Sequence, residues 1–185
     1  MPTNDLASEN VAPELGLRLR TPSPDDGEPL WRLAADVGLV LNSPYAYVMW
    51  GEYFAGTSVV AERDGSLAGF VIGFLVPEDP RTLFVWQVGV AARARRTGLG
   101  AAMVDHLLER TGAEFLEATV TPGNTASAAL FRGVGTRHDA PVDVGPAFPA
   151  ELLPDGHEAE LRFRIGPLGA HDRDGRTPND DTPME

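Results

Sequence analysis

The hydrophobic positions follow two spacings along the chain, which predicts strands and helices in alternation. Apolar and charged residues alternate over 17–20, and the run 82–90 is rich in β-branched and aromatic residues, so both are predicted strands. Apolar residues recur at helical spacing over 98–110. The other predicted elements are, in chain order, a helix from Ser23-Pro24 towards Gly38, a helix from Ser43-Pro44 to Tyr53, strands 57–63 and 67–75 joined by the turn Asp64-Gly65, strand 115–120, helix 124–132 and strand 161–165.

The order of these elements is β-α-α-β-β-β-α-β-α-β, which predicts an α/β (α+β) fold with a mixed sheet and helices on its faces. Residues 1–16 and 169–185 lack apolar periodicity and are mostly polar, so we expect them to be disordered tails. Residues 17–168 then form one domain, and 43% hydrophobic residues in a chain of 185 suit a single globular fold.

The charge and composition exclude several kinds of chemistry. The chain carries a net charge of −12, half of it in the two tails, and all 15 of its strongly basic residues are arginine. The absence of lysine and cysteine excludes a Schiff-base lysine, a cysteine nucleophile, a disulfide framework and a thiolate metal site. The negative charge argues against nucleic-acid and membrane partners. No apolar run is long enough for a bilayer span and no secretory signal is visible, so we expect a soluble, cytoplasmic protein.

The segment 88–101 has the composition of an anion site. A predicted strand runs into a turn that contains Arg93, Arg95, Arg96 and the glycines Gly98 and Gly100, and a predicted helix follows directly. Glycines let the backbone approach a ligand closely, and the N–H groups at a helix start attract anions. The pattern favours a diphosphate ligand, while a solvated basic turn at a helix start is an equal alternative. A Walker loop is excluded by the missing lysine, and a dinucleotide fingerprint by the missing third glycine.

The run Arg95-Arg96-Thr97-Gly98-Leu99-Gly100 resembles the Arg/Gln-x-x-Gly-x-Gly/Ala motif of the GCN5-related N-acetyltransferases (GNAT). The resemblance implies the GNAT fold, a mixed and mostly antiparallel sheet with helices on both faces and a splayed pair of strands that forms the acetyl-coenzyme A (acetyl-CoA) site. It implies that the backbone of the strand end binds pantetheine and the thioester oxygen, and that the loop amides hold the pyrophosphate. The implied coenzyme contacts are Val88, Gly89, Val90, Arg95, Arg96, Thr97, Gly98, Leu99, Gly100, Ala101 and Asn124.

Four blocks resemble one group within this superfamily, the diaminobutyrate acetyltransferases of ectoine biosynthesis. The blocks are 41–47, 83–88, 116–127 and 164–167, and the likeness covers nearly all of 17–168. The resemblance implies acetyl transfer to the 4-amino group of L-2,4-diaminobutyrate, a step of the response to osmotic stress, in a cytoplasmic homodimer.

One position departs from that group, in which an Asp two positions before the Asn of the block Asn42-Ser43-Pro44-Tyr45 is implied to bind the amine. Val40 stands there, and a valine side chain cannot bind an ammonium group. Either another acid such as Asp36 or Glu52 takes its place, or the amine substrate is a different one.

Acyl transfer from a thioester to an amine needs a neutral nucleophile, donors for the developing oxyanion and a proton for the thiolate. We expect Glu117, beside the acetyl-carrying strand, to attract the ammonium group and relay its proton; the alternative is a Glu on the solvent face of an edge strand. We expect Trp86 to wall the amine pocket and face the cation, and the alternative is a core aromatic. Strand alternation puts Trp86, Val88 and Val90 on one face.

The proton donor is less well defined. Many superfamily members use a tyrosine in the helix that follows the coenzyme-contacting Asn, but Phe131 stands there and has no hydroxyl. Tyr45 is the predicted substrate contact or acid, with packing at a helix start as an equal alternative and direct release of the thiolate also open. Asn42, in the same block, and His157, just before the last strand, are predicted to contact the substrate. The four histidines form no metal-binding spacing, so no metal is expected.

Two other functions stay open at this point. An acetyltransferase for another small diamine or amino acid is favoured by Val40. A CoA-binding regulatory module without catalysis would keep the same coenzyme loop, but Glu117 and Trp86 favour an enzyme.

Overall fold

The computed structural model describes residues 10–12, 16–154 and 156–169. Within them, eight strands form one sheet in the order β1-β2-β3-β4-β5-β6-β8-β7. The strands are β1 (Asn10–Ala12), β2 (Leu17–Arg20), β3 (Val59–Arg63), β4 (Ser66–Val76), β5 (Asp79–Val90), β6 (Phe115–Val120), β7 (Val142–Phe148) and β8 (Glu160–Ile165). The helices are α1 (Gly27–Asp36), α2 (Pro44–Tyr53), α3 (Leu99–Thr111) and α4 (Thr125–Arg137).

The sheet is mixed and mostly antiparallel, as the resemblance implied. β5 and β6 pair in parallel, and the other neighbours in the described sheet pair antiparallel. The hairpin predicted between β3 and β4 is present, with positive φ at both Asp64 (51°) and Gly65 (72°), as a tight turn between twisted strands requires.

Helices cover both faces of the sheet and bury two separate apolar clusters. On one face, Met103 and Leu107 of α3 and Val134 of α4 pack against the sheet. On the other, Leu30 of α1 and Trp50 of α2 do so. The prediction of helices on both faces is confirmed.

The central strands diverge where the sequence resemblance placed a splayed pair. β5 pairs with β4 as far as Val90, whereas its pairing with β6 extends only over Thr82–Val85. Backbone groups of β5 beyond Val85 that point towards β6 therefore face a gap between the two strands. The predicted splay is confirmed, and it leaves strand edges open to a ligand.

A β-bulge in β5 overturns the predicted facing of its side chains. The register with β4 passes from Ile72↔Gln87 to Gly73↔Val85, which leaves Trp86 as an extra residue. Val88 and Val90 pack against the α3 cluster, whereas the Trp86 ring lies 4.8 Å from that of Trp50 on the α2 face. The expectation of one shared face was wrong because the inserted residue reverses the alternation.

Three further differences from the predicted elements concern strand β7, the end of helix α4 and the first described residues. Strand β7 was not predicted, because Gly145 and Pro146 interrupt its pattern; proline is tolerated there since β7 is an edge strand. Helix α4 continues five residues beyond the predicted end. Asn10–Ala12 pairs with β2 although 1–16 was predicted to be disordered. The rest of that prediction, for 1–9, 13–15 and 170–185, lies outside the described residues.

Candidate active site and coenzyme loop

The loop between β5 and α3 presents the first amides of a helix. A short 3-10 turn, Ala92–Ala94, follows β5, and Gly98 caps α3 with φ of 83°. This left-handed conformation is unfavourable for residues with a Cβ, which explains the glycine. The amides of Leu99, Gly100 and Ala101 open the helix and have no acceptor within its first turn. They form the kind of N-terminus at which phosphates bind.

Side chains of the loop tie it to the strands and leave positive charge at its surface. Arg95 Nε donates to the carbonyl of Val90 at 3.2 Å, and Arg93 Nη2 donates to the carbonyl of Leu67 at 2.9 Å. The Thr97 hydroxyl donates to the carbonyl of Ala94 at 2.8 Å. Arg95 and Arg96 are exposed. The loop therefore combines a fixed backbone with exposed guanidinium groups, a combination that suits a diphosphate.

The end of β5 directs two amides into the gap beside β6. The amide of Ala91 donates to the carbonyl of Ala68 in β4 at 2.9 Å, and backbone groups alternate along a strand. The amide of Gly89 thus also faces β4, whereas those of Val88 and Val90 face the gap. Both amides can therefore donate to a ligand that enters the gap.

Gly89 allows close packing at this strand end, and Gly100 lies in ordinary contact distance of it. A Cβ on Gly89 would lie 2.5 Å from Cε1 of Phe70, so only glycine fits there. A Cβ on Gly100 would lie 3.7 Å from both Val90 Cγ2 and Leu130 Cδ1. The end of β5, the start of α3 and helix α4 therefore meet at one place.

Asn124 caps helix α4, which follows β6. Its Oδ1 accepts a hydrogen bond from the amide of Ser127 at 3.0 Å, so its Nδ2 hydrogens are the groups it can offer to a ligand. Phe131, in the helix that follows Asn124, is buried, with its ring 6.2 Å from that of Phe163. Phe131 is a core residue and contributes no proton.

Glu117 lies inside a charged network instead of on a solvent-exposed edge. Its side chain is 15% exposed, and Oε1 accepts a hydrogen bond from Arg164 Nη1 at 2.5 Å. Arg164, on β8, also reaches Asp79 Oδ2 at 3.4 Å and stacks 4.3 Å from the Phe115 ring. The hydrogen bond that Arg164 donates to Glu117 is the largest cause of the raised pKa of Arg164. The carboxylate is thus held in one place by a permanent cation.

The structure puts Glu117 and Trp86 on the same face of adjacent strands. Glu117 is aligned with Phe84 in the parallel β5–β6 register, and the Phe84 ring stacks on Phe74, which belongs to the α2 cluster. Trp86 packs on Trp50 but remains 40% exposed. Trp86 therefore packs on the core and also exposes ring surface, while its role as a wall of the amine pocket stays a prediction.

The other predicted substrate residues are exposed or half-buried. Tyr45, near the start of α2, is 69% exposed, Asn42 is half-buried in the preceding loop, and His157 is exposed just before β8. The structure shows no contact that assigns them a role. Val40 is exposed as well.

Two polar residues that the sequence patterns missed link this region together. Tyr47, which is buried in α2, donates its hydroxyl to Gln87 Oε1 at 3.1 Å. Gln87 Nε2 donates to the carbonyl of Val40 at 3.0 Å. The sequence carries one sign of Gln87, which is a lone amide side chain in the apolar run of β5. Simple alternation without the bulge, however, would point that side chain towards the α3 cluster.

Two kinds of feature are absent from the described residues. Their helices are all too short or too polar to cross a bilayer. Within the same residues, no group of three or more His, Cys, Asp or Glu side chains is arranged to hold a metal ion.

Comparisons with known proteins agree with this geometry. The profile of the acetyltransferase (GNAT) family matches residues 28–136. The L-2,4-diaminobutyric acid acetyltransferase of Shouchella clausii is 44% identical over 156 residues, covering 82% of this chain and 88% of that protein. Its counterpart in Streptomyces avermitilis is 44% identical over 171 residues, covering 89% and 96%.

Solved structures give the same result. Diaminobutyrate acetyltransferase EctA from Paenibacillus lautus, in complex with L-2,4-diaminobutyric acid and coenzyme A, superposes with a TM-score of 0.79 at 43% identity, covering 83% of this chain and 96% of that one. The ribosomal-protein-S18-alanine N-acetyltransferase of Escherichia coli shares the fold alone, with a TM-score of 0.63 at 17% identity over 85% and 97% of the two chains. This chain therefore belongs to the acetyltransferase (GNAT) family, in which it groups with the L-2,4-diaminobutyric acid acetyltransferases.

Proposed function

We propose that this protein transfers the acetyl group of acetyl-CoA to the 4-amino group of L-2,4-diaminobutyrate. The observation that carries the proposal is the 43% identity and TM-score of 0.79 to an enzyme described with that amine and coenzyme A, over 83% of the chain. The splayed strands and the coenzyme loop of this structure supply the geometry that such a reaction requires.

In this proposal acetyl-CoA lies along the gap between β5 and β6. Its diphosphate meets the amides of 98–101 with Arg95 and Arg96 beside them, and an Nδ2 hydrogen of Asn124 is available to the coenzyme. The amide of Val88 or Val90 donates to the thioester oxygen and stabilises the negative charge that develops there.

The amine attacks the thioester carbonyl directly. Its ammonium form first loses a proton, and we assign the attraction of that cation and the relay of the proton to Glu117, whose Oε1 is already held by Arg164. The nitrogen lone pair then forms the C–N bond, which leaves the nitrogen with one excess proton. The nitrogen releases this second proton to solvent as the tetrahedral intermediate collapses and the C–S bond breaks. The coenzyme A thiolate takes a proton from Tyr45 or from solvent. Trp86 and Asn42 line the amine side, with His157 at its border.

A second amine substrate is favoured by Val40. Its side chain carries no charge, and the nearby acids Asp36 and Glu52 are exposed at their positions on α1 and α2. A different small diamine or amino acid would be accepted if neither acid reaches the amine.

The test is a thiol-release assay with acetyl-CoA over a panel of small amines, with the acetylated nitrogen identified by mass spectrometry. We expect turnover of L-2,4-diaminobutyrate at the 4-amino group. Turnover of another amine alone would replace the substrate and keep the reaction. Binding of coenzyme A with no turnover of any amine would instead indicate a regulatory module.

We also propose that the protein works as a cytoplasmic homodimer in ectoine biosynthesis under osmotic stress. The support is its likeness to the diaminobutyric acid acetyltransferases over most of their length. Light scattering coupled to size-exclusion chromatography tests the dimer, and ectoine accumulation at high salt in a strain that lacks the gene tests the pathway.

A further inference from the structure

Gln87 occupies an unusual position for an amide side chain. It follows the bulged Trp86 in β5, so the bulge turns both residues towards α2. It also directly precedes Val88, whose amide faces the gap beside β6. One residue therefore adjoins both the aromatic wall and the strand end that would present the thioester.

The two ends of the Gln87 amide have different partners, and their chemistry fixes its orientation. The backbone carbonyl of Val40 can only accept, so the Gln87 nitrogen must face it, at 3.0 Å. The oxygen then accepts from the Tyr47 hydroxyl at 3.1 Å. Tyr47 is 1% exposed and forms part of the α2 core, whereas Val40 lies in the loop between α1 and α2 and is 74% exposed. The amide thus joins a rigid anchor to an exposed loop.

We infer that Gln87 is a positioning residue for the amine substrate. Its side chain holds the loop 38–43 against β5 and so sets the distance between this loop and the thioester. This inference rests on the proposed function, because Asn42 is assigned to the amine in that proposal. Since Val40 cannot bind the ammonium group through its side chain, the loop contributes through its backbone placement, and Gln87 supplies a side-chain tie between that backbone and the sheet.

Two substitutions separate the two ends of the amide. Gln87→Glu keeps an acceptor for Tyr47 but places a carboxylate oxygen against the Val40 carbonyl, so the loop is released. Tyr47→Phe removes the hydroxyl and leaves the tie from Gln87 to Val40 intact. Gln87→Met removes both bonds at similar volume, and it serves if the glutamate variant does not fold.

We expect Gln87→Glu, and Gln87→Met likewise, to raise KM for the amine roughly tenfold, as the loss of one hydrogen bond would. KM for acetyl-CoA should stay within about twofold, because the coenzyme loop is untouched. Amide hydrogen exchange over 38–43 should become faster. Tyr47→Phe should lower Tm while the amine KM changes less than about twofold.

The inference is overturned if the Gln87 variants leave the amine KM unchanged, or if Tyr47→Phe raises it as much as they do. The latter would show that packing of α2 governs the effect and not the tie to Val40. Failure of the proposed function is distinguishable, because the wild-type protein would then not turn over the amine. In that case, unchanged amide hydrogen exchange over 38–43 in Gln87→Glu would still show that Gln87 does not hold this loop.

Discussion

At the scale of single residues, the charged groups around Glu117 determine what that side chain can do. Arg164 contacts both Glu117 and Asp79, and the pKa of Asp79 is lowered by a hydrogen bond from the Thr82 hydroxyl and by Arg164. The raised pKa of Arg164 keeps its charge under all ordinary conditions. A carboxylate held by such a fixed cation keeps its orientation when the amine arrives, so little reorganisation is needed during the reaction.

Glu117→Gln should therefore reduce turnover far more than coenzyme affinity. In the proposed mechanism this carboxylate binds and deprotonates the amine, so its loss is expected to lower kcat about 100-fold or more, while Kd for coenzyme A changes less than about twofold. Single-turnover kinetics and calorimetry measure the two quantities. Glu114→Gln is the matched control, since Glu114 is an exposed acid one residue before β6 that pairs with Arg81; it should leave both quantities unchanged. Weaker coenzyme binding with normal turnover would remove Glu117 from the catalytic residues.

Arg164 acts on the reaction only through Glu117, so its replacement should show graded effects. Arg164→Met leaves the carboxylate without its cation and is expected to lower kcat roughly tenfold. Arg164→Lys keeps the charge but loses the second nitrogen that reaches Asp79, and it should recover part of that loss. Rate measurements at saturating acetyl-CoA test this order. Equal rates in the methionine and wild-type proteins would show that Glu117 needs no partner.

At the scale of elements, the coenzyme loop depends on one backbone conformation. Gly98 has φ of 83° and nothing within 4 Å of the place where a Cβ would be, so alanine there meets backbone strain and no clash. Gly98→Ala should cost about 1 kcal/mol of stability and raise KM for acetyl-CoA several-fold, because relaxing φ would move the first amides of α3.

Gly65→Ala is the control, because Gly65 has a φ of 72° in equally open space in the β3–β4 turn. It should cost similar stability in thermal unfolding and leave that KM unchanged. Equal KM values in the two variants would contradict a role for this conformation.

An element could be predicted when the residues that cause it lie within one short run of sequence. The coenzyme loop was predicted because glycine, arginine and helical periodicity are visible within one run of sequence. The bulge at Trp86 was not, since it arises from the pairing of β5 with β4, and the Gln87 tie was missed with it. Strand β7 was missed because its pairing with β8, and not its own pattern, makes it a strand. Glu117 was predicted from its neighbours, but its partner Arg164 lies 47 residues away.

At the scale of the whole molecule, a partly buried ion pair joins the start of α1 to strands near the edge of the sheet. Asp26, directly before α1, accepts two hydrogen bonds from Arg20 of β2, both at 2.8 Å, and one from the amide of Ser23 at 2.7 Å. Arg20 Nε also donates to Glu62 of β3 at 2.8 Å. These hydrogen bonds link the start of α1 to two neighbouring strands. The link lies on strands that take no part in the proposed site.

Asp26→Asn should consequently lower stability without changing catalysis. Burial alone would raise the pKa of Asp26, but the hydrogen bonds from Arg20 and Ser23 outweigh burial and lower it. A carboxyl whose folded pKa is lowered stabilises the fold above its unfolded value of about 3.9 and loses that contribution as the pH falls through the folded value. We expect Asp26→Asn to cost about 2 kcal/mol at pH 7, the scale of hydrogen bonds to charged groups. The cost should shrink as the pH falls below about 4.

Denaturant unfolding at several pH values measures this difference, with the exposed Asp25→Asn as control. A cost that stays constant down to pH 2 would show that Asp26 acts through packing and not through its charge.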